Sequence, residues 1–257
     1  MLRTCRQLLE VELRRRGVSF AHDIESGRHV VQRADGTRLL ISLENLSREF
    51  ERDNDEGRIA RFVDSVLGSG SSPMVWQEAE SRLYLALEPS DYAERSDLAR
   101  AISNRVDRVP VVFDDEHGAM SWVTQQMIGD WSVTEDALIR RAAENLNAAL
   151  RSATLQSDQV DDVQVAFIAS ALPFKAALIL APDFRAFVEP TLGWPLFAVA
   201  PARDFLYLWN AQHREFASRL GHVVVKEFTH SAYPLSAEVF ELGDKGLRAI
   251  GEYPVGA

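Results

Sequence analysis

The residues in this sequence best suited to chemistry are an adjacent arginine and aspartate, Arg203 and Asp204, between two apolar runs. An arginine can hold a carboxylate or phosphate through paired hydrogen bonds, and a nearby carboxylate or imidazole can move a proton. His230 and Glu238 follow further along the chain. The sequence therefore offers Arg203, Asp204 and His230 as candidate ligand-binding residues. In an enzyme, Asp204, Glu238 or His230 would be the acid–base group.

A turn explains the same pair without any ligand. The pair separates PLFAVA from FLYLWN, and charged residues are common in turns between strands. The carboxylate of Asp204 would accept hydrogen bonds from turn amides, and Arg203 would cap carbonyls or bind a carboxylate such as Glu189. The sequence favours this charged turn over the ligand site.

No complete catalytic or cofactor motif accompanies these residues. The sequence contains neither a P-loop nor a serine nucleophile elbow. Its six histidines lack zinc-binding spacing, and the acidic stretch 53–57 has its glycine one position early for a calcium loop. We therefore predict no catalytic residue, no metal and no cofactor.

Composition and charge argue against several classes of protein. Hydrophobic residues make up 46% and charged residues 26%, as in folded globular proteins. A net charge of −10 and a pI near 5.1 make nucleic acid an unlikely partner. A single cysteine, Cys5, excludes an internal disulfide, and no apolar stretch has the length of a signal-peptide core or a membrane span. We expect a cytoplasmic protein without membrane contact, and the sequence leaves its oligomeric state open.

Residues 1–70 are predicted to form an N-terminal unit. An amphipathic helix ends at Gly17, and the short apolar runs that follow predict a three-strand antiparallel meander with a helix packed on it. The two turns are indicated by Ser-Gly at 26–27 and Asp-Gly at 35–36. The glycine- and serine-rich stretch 68–73 is typical of a linker.

Residues 71–257 are predicted to form a larger α+β domain with an antiparallel sheet. Its clearest helix follows Ser132 and Glu135, which have the spacing of a capping box. A second helix is expected over 91–102, and the apolar run 174–181 predicts a strand. Further strands are expected at 82–88, 109–115, 163–170, 195–200 and 204–210, with a helix over 213–228 and a last hairpin turning at 243–246.

The order of these elements lacks the strand–helix alternation of a parallel sheet. The predicted fold class is therefore α+β, with antiparallel sheets flanked by helices in two sub-domains. In the run 204–210, Phe205, Tyr207 and Trp209 lie on one face of the predicted strand, and Leu206 and Leu208 lie on the other. Both faces are therefore apolar, which is typical of a central strand.

Three blocks of the sequence resemble a bacterial family typified by the YtpQ protein, a domain of unknown function. They are WVTQQMIGDWSVTEDALIRRAAENLNAAL, FKAALIL and LGWPLFAVAPARDFLYLWNAQ, in the same order as in that family. The resemblance covers roughly residues 105–240. Ala202 departs from it, since the family pattern has a polar or basic residue there. The resemblance implies a cytoplasmic bacterial protein and no established activity.

The leading hypothesis is a non-enzymatic protein-binding or adaptor module, similar in its helix-and-sheet units to small secretion chaperones. The alternative is an enzyme that acts on a small anionic substrate and uses Arg203 and Asp204. A third hypothesis is self-association through the aromatic strand. The partner expected in the leading case is another protein.

Overall fold

The computed structural model describes residues 4–22, 29–32, 38–41, 43–68, 74–91, 96–115 and 119–255. These residues form helices and antiparallel sheets of three, four and six strands, so the predicted α+β class is confirmed. The chain divides into two compact units. The smaller is Met1–Met74 with Asp114–Ala119, and the larger is Val75–Phe113 with Met120–Ala257.

The smaller unit has a helix, a meander and two further helices. The elements are α1 Cys5–Arg15, β1 Ser19–His22, β2 His29–Gln32, β3 Arg38–Ile41, α2 Glu44–Asp53 and α3 Glu56–Gly68. The strands form a sheet in the order β1-β2-β3 that is antiparallel throughout, as predicted. The predicted turns at 26–27 and 35–36 and most of the predicted linker, 69–73, lie outside the described residues.

Helix α1 is fixed by its first turn and its apolar face. The Thr4 hydroxyl accepts a hydrogen bond from the backbone N–H of Gln7, and the Gln7 side chain accepts one from the N–H of Thr4. This capping box satisfies two N–H groups that a helix start leaves without partners. The buried face joins β2, β3 and α3 in one core, with Cys5, Leu8, Leu9, Leu13, Val31, Ile41, Ile59 and Val63 among its members. Burial raises the pKa of the Cys5 thiol, as expected for a core residue.

A pair of histidines lies beside this core. His22 and His29 are directly opposite each other on β1 and β2, and their ring centroids are 4.8 Å apart. His29 is fully buried, and its Nε2 lies 3.5 Å from the carboxylate Oε1 of Glu10. Burial lowers the pKa of His29; the positive charges of Arg6 and His22 act in the same direction, and Glu10 opposes them. Burial therefore favours the neutral form of the His29 imidazole.

Acidification should weaken this unit. Because the folded-state pKa of His29 lies below its unfolded value of 6.5, the unfolded chain takes up the proton first. The contribution of neutral His29 to the stability of this unit is fully present above the unfolded pKa of 6.5, and it falls as the pH drops from 6.5 towards the lower pKa of the folded state. Amide hydrogen exchange of β2 at about pH 7.5 and about pH 5.5 measures this, after correction for the intrinsic exchange rate. His29→Gln should show a smaller pH dependence, and equal dependence in both proteins would contradict the explanation.

The larger unit contains the four-stranded and six-stranded sheets. The helices are α4 Trp76–Ala79, α5 Gln125–Trp131, α6 Glu135–Arg151, a 3-10 helix Lys175–Leu180, α7 Phe184–Leu192 and α8 Phe216–His230. The strands are β4 Leu83–Pro89, β5 Arg100–Ala101, β6 Val106–Asp114, β7 Ala119–Trp122, β8 Thr154–Val160, β9 Val163–Ala169, β10 Leu196–Ala202, β11 Phe205–Asn210, β12 Glu238–Gly243 and β13 Gly246–Glu252. The four-stranded sheet has the order β4-β6-β5, with β7 also paired to β6. The six-stranded sheet has the order β13-β12-β10-β11-β9-β8.

Strand β11 is central, as its two apolar faces predict. It pairs with β10 on one side and β9 on the other. Trp209 is fully buried in the core under α8, while Leu206 and Leu208 are buried on the opposite face. Helix α8 adds Phe216, Leu220 and Val224, whose spacing of four places them on one side of the helix. Other members of the core under α8 are Val163, Val165, Phe197, Val199, Val239 and Tyr253.

One predicted helix cap and two predicted elements of the larger unit are wrong. The N-cap of α6 is Thr134, whose hydroxyl accepts a hydrogen bond from the N–H of Ala137; Ser132 instead ends α5 in a left-handed conformation. The run 174–181 forms the 3-10 helix, because a short buried apolar run suits either geometry.

The helix expected over 91–102 is also wrong for the described part of that range. Residues 96–102 form turns and strand β5, which pairs with β6. The Ser96 hydroxyl accepts a hydrogen bond from the N–H of Leu98, and Leu98 is buried. Local side-chain bonding of this kind competes with a helix.

Candidate functional site

The predicted pair Arg203 and Asp204 forms the turn between β10 and β11. The N–H of Arg203 donates to the carbonyl of Tyr233 (3.0 Å), and the carbonyl of Arg203 accepts from the N–H of Ala176 (2.9 Å). The turn is thus tied to the segment after α8 and to the 3-10 helix. The backbone of Arg203 is held on both sides.

The Arg203 side chain forms a buried ion pair with Glu88 of β4. One guanidinium nitrogen lies 2.6 Å from the carboxylate, and the side chains of Arg203 and Glu88 are 14% and 2% exposed. The guanidinium also lies over the ring of Tyr233, 5.1 Å from its centroid. An anion that approached Arg203 would have to compete with Glu88.

Glu88 is surrounded by other buried polar groups. It lies directly opposite Asp107 on β6, and both residues are 1% exposed. Opposite residues of an antiparallel pair share a face, so the carboxyl groups of Glu88 and Asp107 are buried side by side. Burial raises the pKa of Glu88, and the charge of Arg203 opposes that shift. The ion pair with Arg203 therefore offsets a large desolvation cost.

A second polar contact joins the same two sheets. The Ser103 hydroxyl donates to the carboxylate of Glu238 (2.5 Å), and the Ser236 hydroxyl lies 3.2 Å from the same oxygen. Ser103 lies between β5 and β6, whereas Glu238 begins β12 and is 6% exposed. We call Glu88, Arg203, Ser103 and Glu238 the polar clasp.

The candidate residues from the sequence have different surroundings. Arg203 is part of the polar clasp, and Asp204 is exposed. His230 is exposed at the end of α8, with its Nδ1 2.8 Å from the carbonyl oxygen of Lys226. Glu238 is in the clasp and hydrogen-bonded to Ser103. The structure thus places Arg203 and Glu238 inside the unit, and Asp204 and His230 at its surface.

A groove of about 510 Å³ opens elsewhere in the larger unit, on the side of the six-stranded sheet that carries α8. We call it the α8 groove. Its volume is within the range of small-ligand pockets. It is lined by Pro195, Phe197, Ala211, Gln212, Arg214, Glu241, Arg248 and Ile250.

Strand register assembles the floor of the α8 groove. Phe197 of β10 is directly opposite Glu241 of β12, and Glu241 is directly opposite Arg248 of β13. These residues form one row across three strands on one face of the sheet. Arg248 and Glu241 form an ion pair at 2.5 Å, and the Arg248 side chain is 62% exposed. Arg214, two residues before α8, is exposed and also lines the groove.

Sequence reasoning missed both the Glu88 partner and the α8 groove. Glu88 ends the strand run 82–88 and gives no signal of its own. The partner of Arg203 is 115 residues away, and the groove depends on the register of three strands. The pairing order of the strands would have been needed to find either feature.

Within the described ranges, no group of three or more histidine, cysteine, aspartate or glutamate side chains could hold a metal ion. No described helix combines the length and the apolar character needed to cross a membrane.

Comparison of the chain with protein-family models, with curated proteins and with solved structures finds no match. The resemblance to the YtpQ family thus stays a prediction from the sequence, and the fold and the site are described from this structure.

Proposed function

We propose that this chain is a non-enzymatic protein-binding module and that its binding site is the α8 groove. The observation that carries the proposal is that accessible apolar side chains and exposed arginines line the same groove. Pro195, Ala211 and Ile250 supply apolar surface, and Arg214 and Arg248 supply positive charge. Apolar surface with a few charged groups at its rim is the usual composition of a protein-binding patch.

The polar clasp supports this assignment by giving Arg203 another role. Its guanidinium is engaged by Glu88 and largely covered, so its charge is used inside the unit. The clasp holds the β4–β6 sheet against the six-stranded sheet, which carries the α8 groove. We therefore assign Arg203 to the stability of the scaffold and the groove to binding.

Filling the α8 groove should abolish partner binding. Ala211 lines the groove, and Ala211→Trp would place an indole ring in the space that a partner would occupy. The matched control is Arg140→Trp, which adds the same ring at an exposed position of α6. Tagged wild-type and variant proteins are crosslinked in cells of the source organism, and the recovered proteins are quantified by mass spectrometry.

The expected result is a set of proteins recovered with wild type and Arg140→Trp and depleted at least about tenfold with Ala211→Trp, the scale of a lost central contact. Thermal unfolding of both variants checks that they are folded. Recovery of the same proteins with Ala211→Trp, or of none with wild type, contradicts the proposal.

The alternative is an enzyme that binds a small anion with Arg203 and uses Asp204 as its acid–base group. Its strongest support is that the two residues are adjacent and Asp204 is exposed. If it is right, Asp204→Asn should abolish turnover of an anionic substrate at unchanged melting temperature. Our proposal expects Asp204→Asn to leave partner binding unchanged.

A further inference from the structure

We infer that the α8 groove binds an extended acidic peptide segment that carries an apolar side chain next to a carboxylate. This inference rests on the proposed function and specifies the chemistry of the partner. It depends on the charged and apolar side chains that line the groove and on the open edge of the sheet beside it.

The rim carries more positive than negative charge. Arg248 is paired with Glu241, and the two charges balance. The Arg214 side chain is exposed and forms no ion pair within the described part of the chain. The guanidinium of Arg214 therefore gives the groove a local positive charge, which complements a negative group on a partner.

The lining of the groove also includes apolar side chains. Phe197 is 4% exposed and belongs to the core under α8, and Ile250 and Ala211 are partly buried against the same core. An apolar side chain seated there would extend that core. A partner with only carboxylates would leave the floor unfilled, and one with only apolar groups would leave Arg214 unpaired.

The edge of the sheet favours an extended peptide as the occupant. Strand β13 pairs with β12 on one side, and in the described sheet no strand pairs with its other side. An added strand would find the unpaired N–H and C=O groups of β13 there. Alternate side chains of that strand would lie on the face of Arg248, where the groove is.

Selection from a random peptide library displayed on phage tests this inference. The full-length wild-type protein is the bait, and phage that also bind Ala211→Trp are removed, so that the surviving peptides need the open groove. These peptides are synthesised and titrated against wild type, Arg214→Glu and Arg140→Glu. The last variant makes the same charge reversal at an exposed position of α6.

The expected result is enrichment of peptides with aspartate or glutamate within two residues of a large apolar residue. Their affinity should fall roughly threefold to tenfold in Arg214→Glu, stay unchanged in Arg140→Glu, and weaken with added salt.

Two other results would overturn the inference, in distinguishable ways. Groove-dependent peptides without carboxylates, or with equal affinity for Arg214→Glu, would contradict the acidic partner and leave the proposed groove function standing. The absence of any groove-dependent peptide would count against the inference and the proposed function together.

Discussion

Replacing Arg203 with methionine is expected to lower the free energy of unfolding of the larger unit by about 3–5 kcal/mol. The substitution leaves the carboxylate of Glu88 buried without its counter-charge, beside the buried carboxyl group of Asp107. Urea unfolding followed by tryptophan fluorescence measures the loss, because all five tryptophans belong to the larger unit.

The matched control for this prediction is a substitution of Asp204, the neighbour of Arg203 in the turn. Asp204 is exposed, so Asp204→Ala should change stability by no more than about 0.5 kcal/mol. Adding Glu88→Gln to Arg203→Met should restore about 2 kcal/mol, because the neutral amide needs no counter-charge.

Arg203→Met should also lose less stability at lower pH. The reason is that the raised pKa of Glu88 lets the folded state take up the proton before the unfolded state does. An effect of Arg203→Met as small as that of Asp204→Ala would contradict the polar clasp.

Replacing Trp209 with alanine is expected to destabilise the larger unit by a similar amount, about 3–5 kcal/mol. Trp209 is fully buried, and its ring lies edge-on to Phe197 and Phe216, with centroids 5.8 and 5.9 Å away. Its indole N–H donates to the carbonyl of His213 (3.2 Å). Alanine would leave a cavity under α8 and a carbonyl that loses its donor.

Two further variants test this explanation: one keeps a ring but lacks the indole N–H, and the other is a control on α8. Trp209→Phe keeps a ring between Phe197 and Phe216 and should lose less stability than Trp209→Ala. Val223→Ala on the same helix α8 truncates a side chain that is 38% exposed, and it should cost no more than about 0.5 kcal/mol. Circular dichroism during urea unfolding compares them, and equal losses for Trp209→Ala and Val223→Ala would contradict the core under α8.

Local sequence patterns predicted helix α1, the meander and helix α6. The last hairpin was predicted from its turn residues at 243–246, and the central place of β11 from its two apolar faces. Strand β8, Thr154–Val160, was not predicted, because it is a mostly exposed edge strand with few apolar residues. Its pairing with β9 is set by backbone hydrogen bonds, which leave no hydrophobic pattern in the sequence.

The candidate site was predicted only in part, for a different reason. The sequence predicted the charged turn at Arg203 and Asp204 and allowed a carboxylate partner for the arginine, but Glu189, the example given for that partner, is not the residue that Arg203 binds. Glu189 forms its ion pair with Arg185, and Arg203 pairs with Glu88. Long-range pairing of this kind depends on which strands become neighbours, and residue types and spacing do not encode that directly.

Site-specific photo-crosslinking tests most directly whether the α8 groove is the binding site, because it compares the groove with the Arg203–Asp204 turn in one assay. A photoreactive phenylalanine analogue replaces Gln212, which lines the α8 groove, or Asp204, at the predicted turn; both positions are exposed. After irradiation in cells, we expect a discrete crosslinked protein from position 212 and none from position 204. Crosslinking from position 204 alone would contradict it and return the function to Arg203 and Asp204.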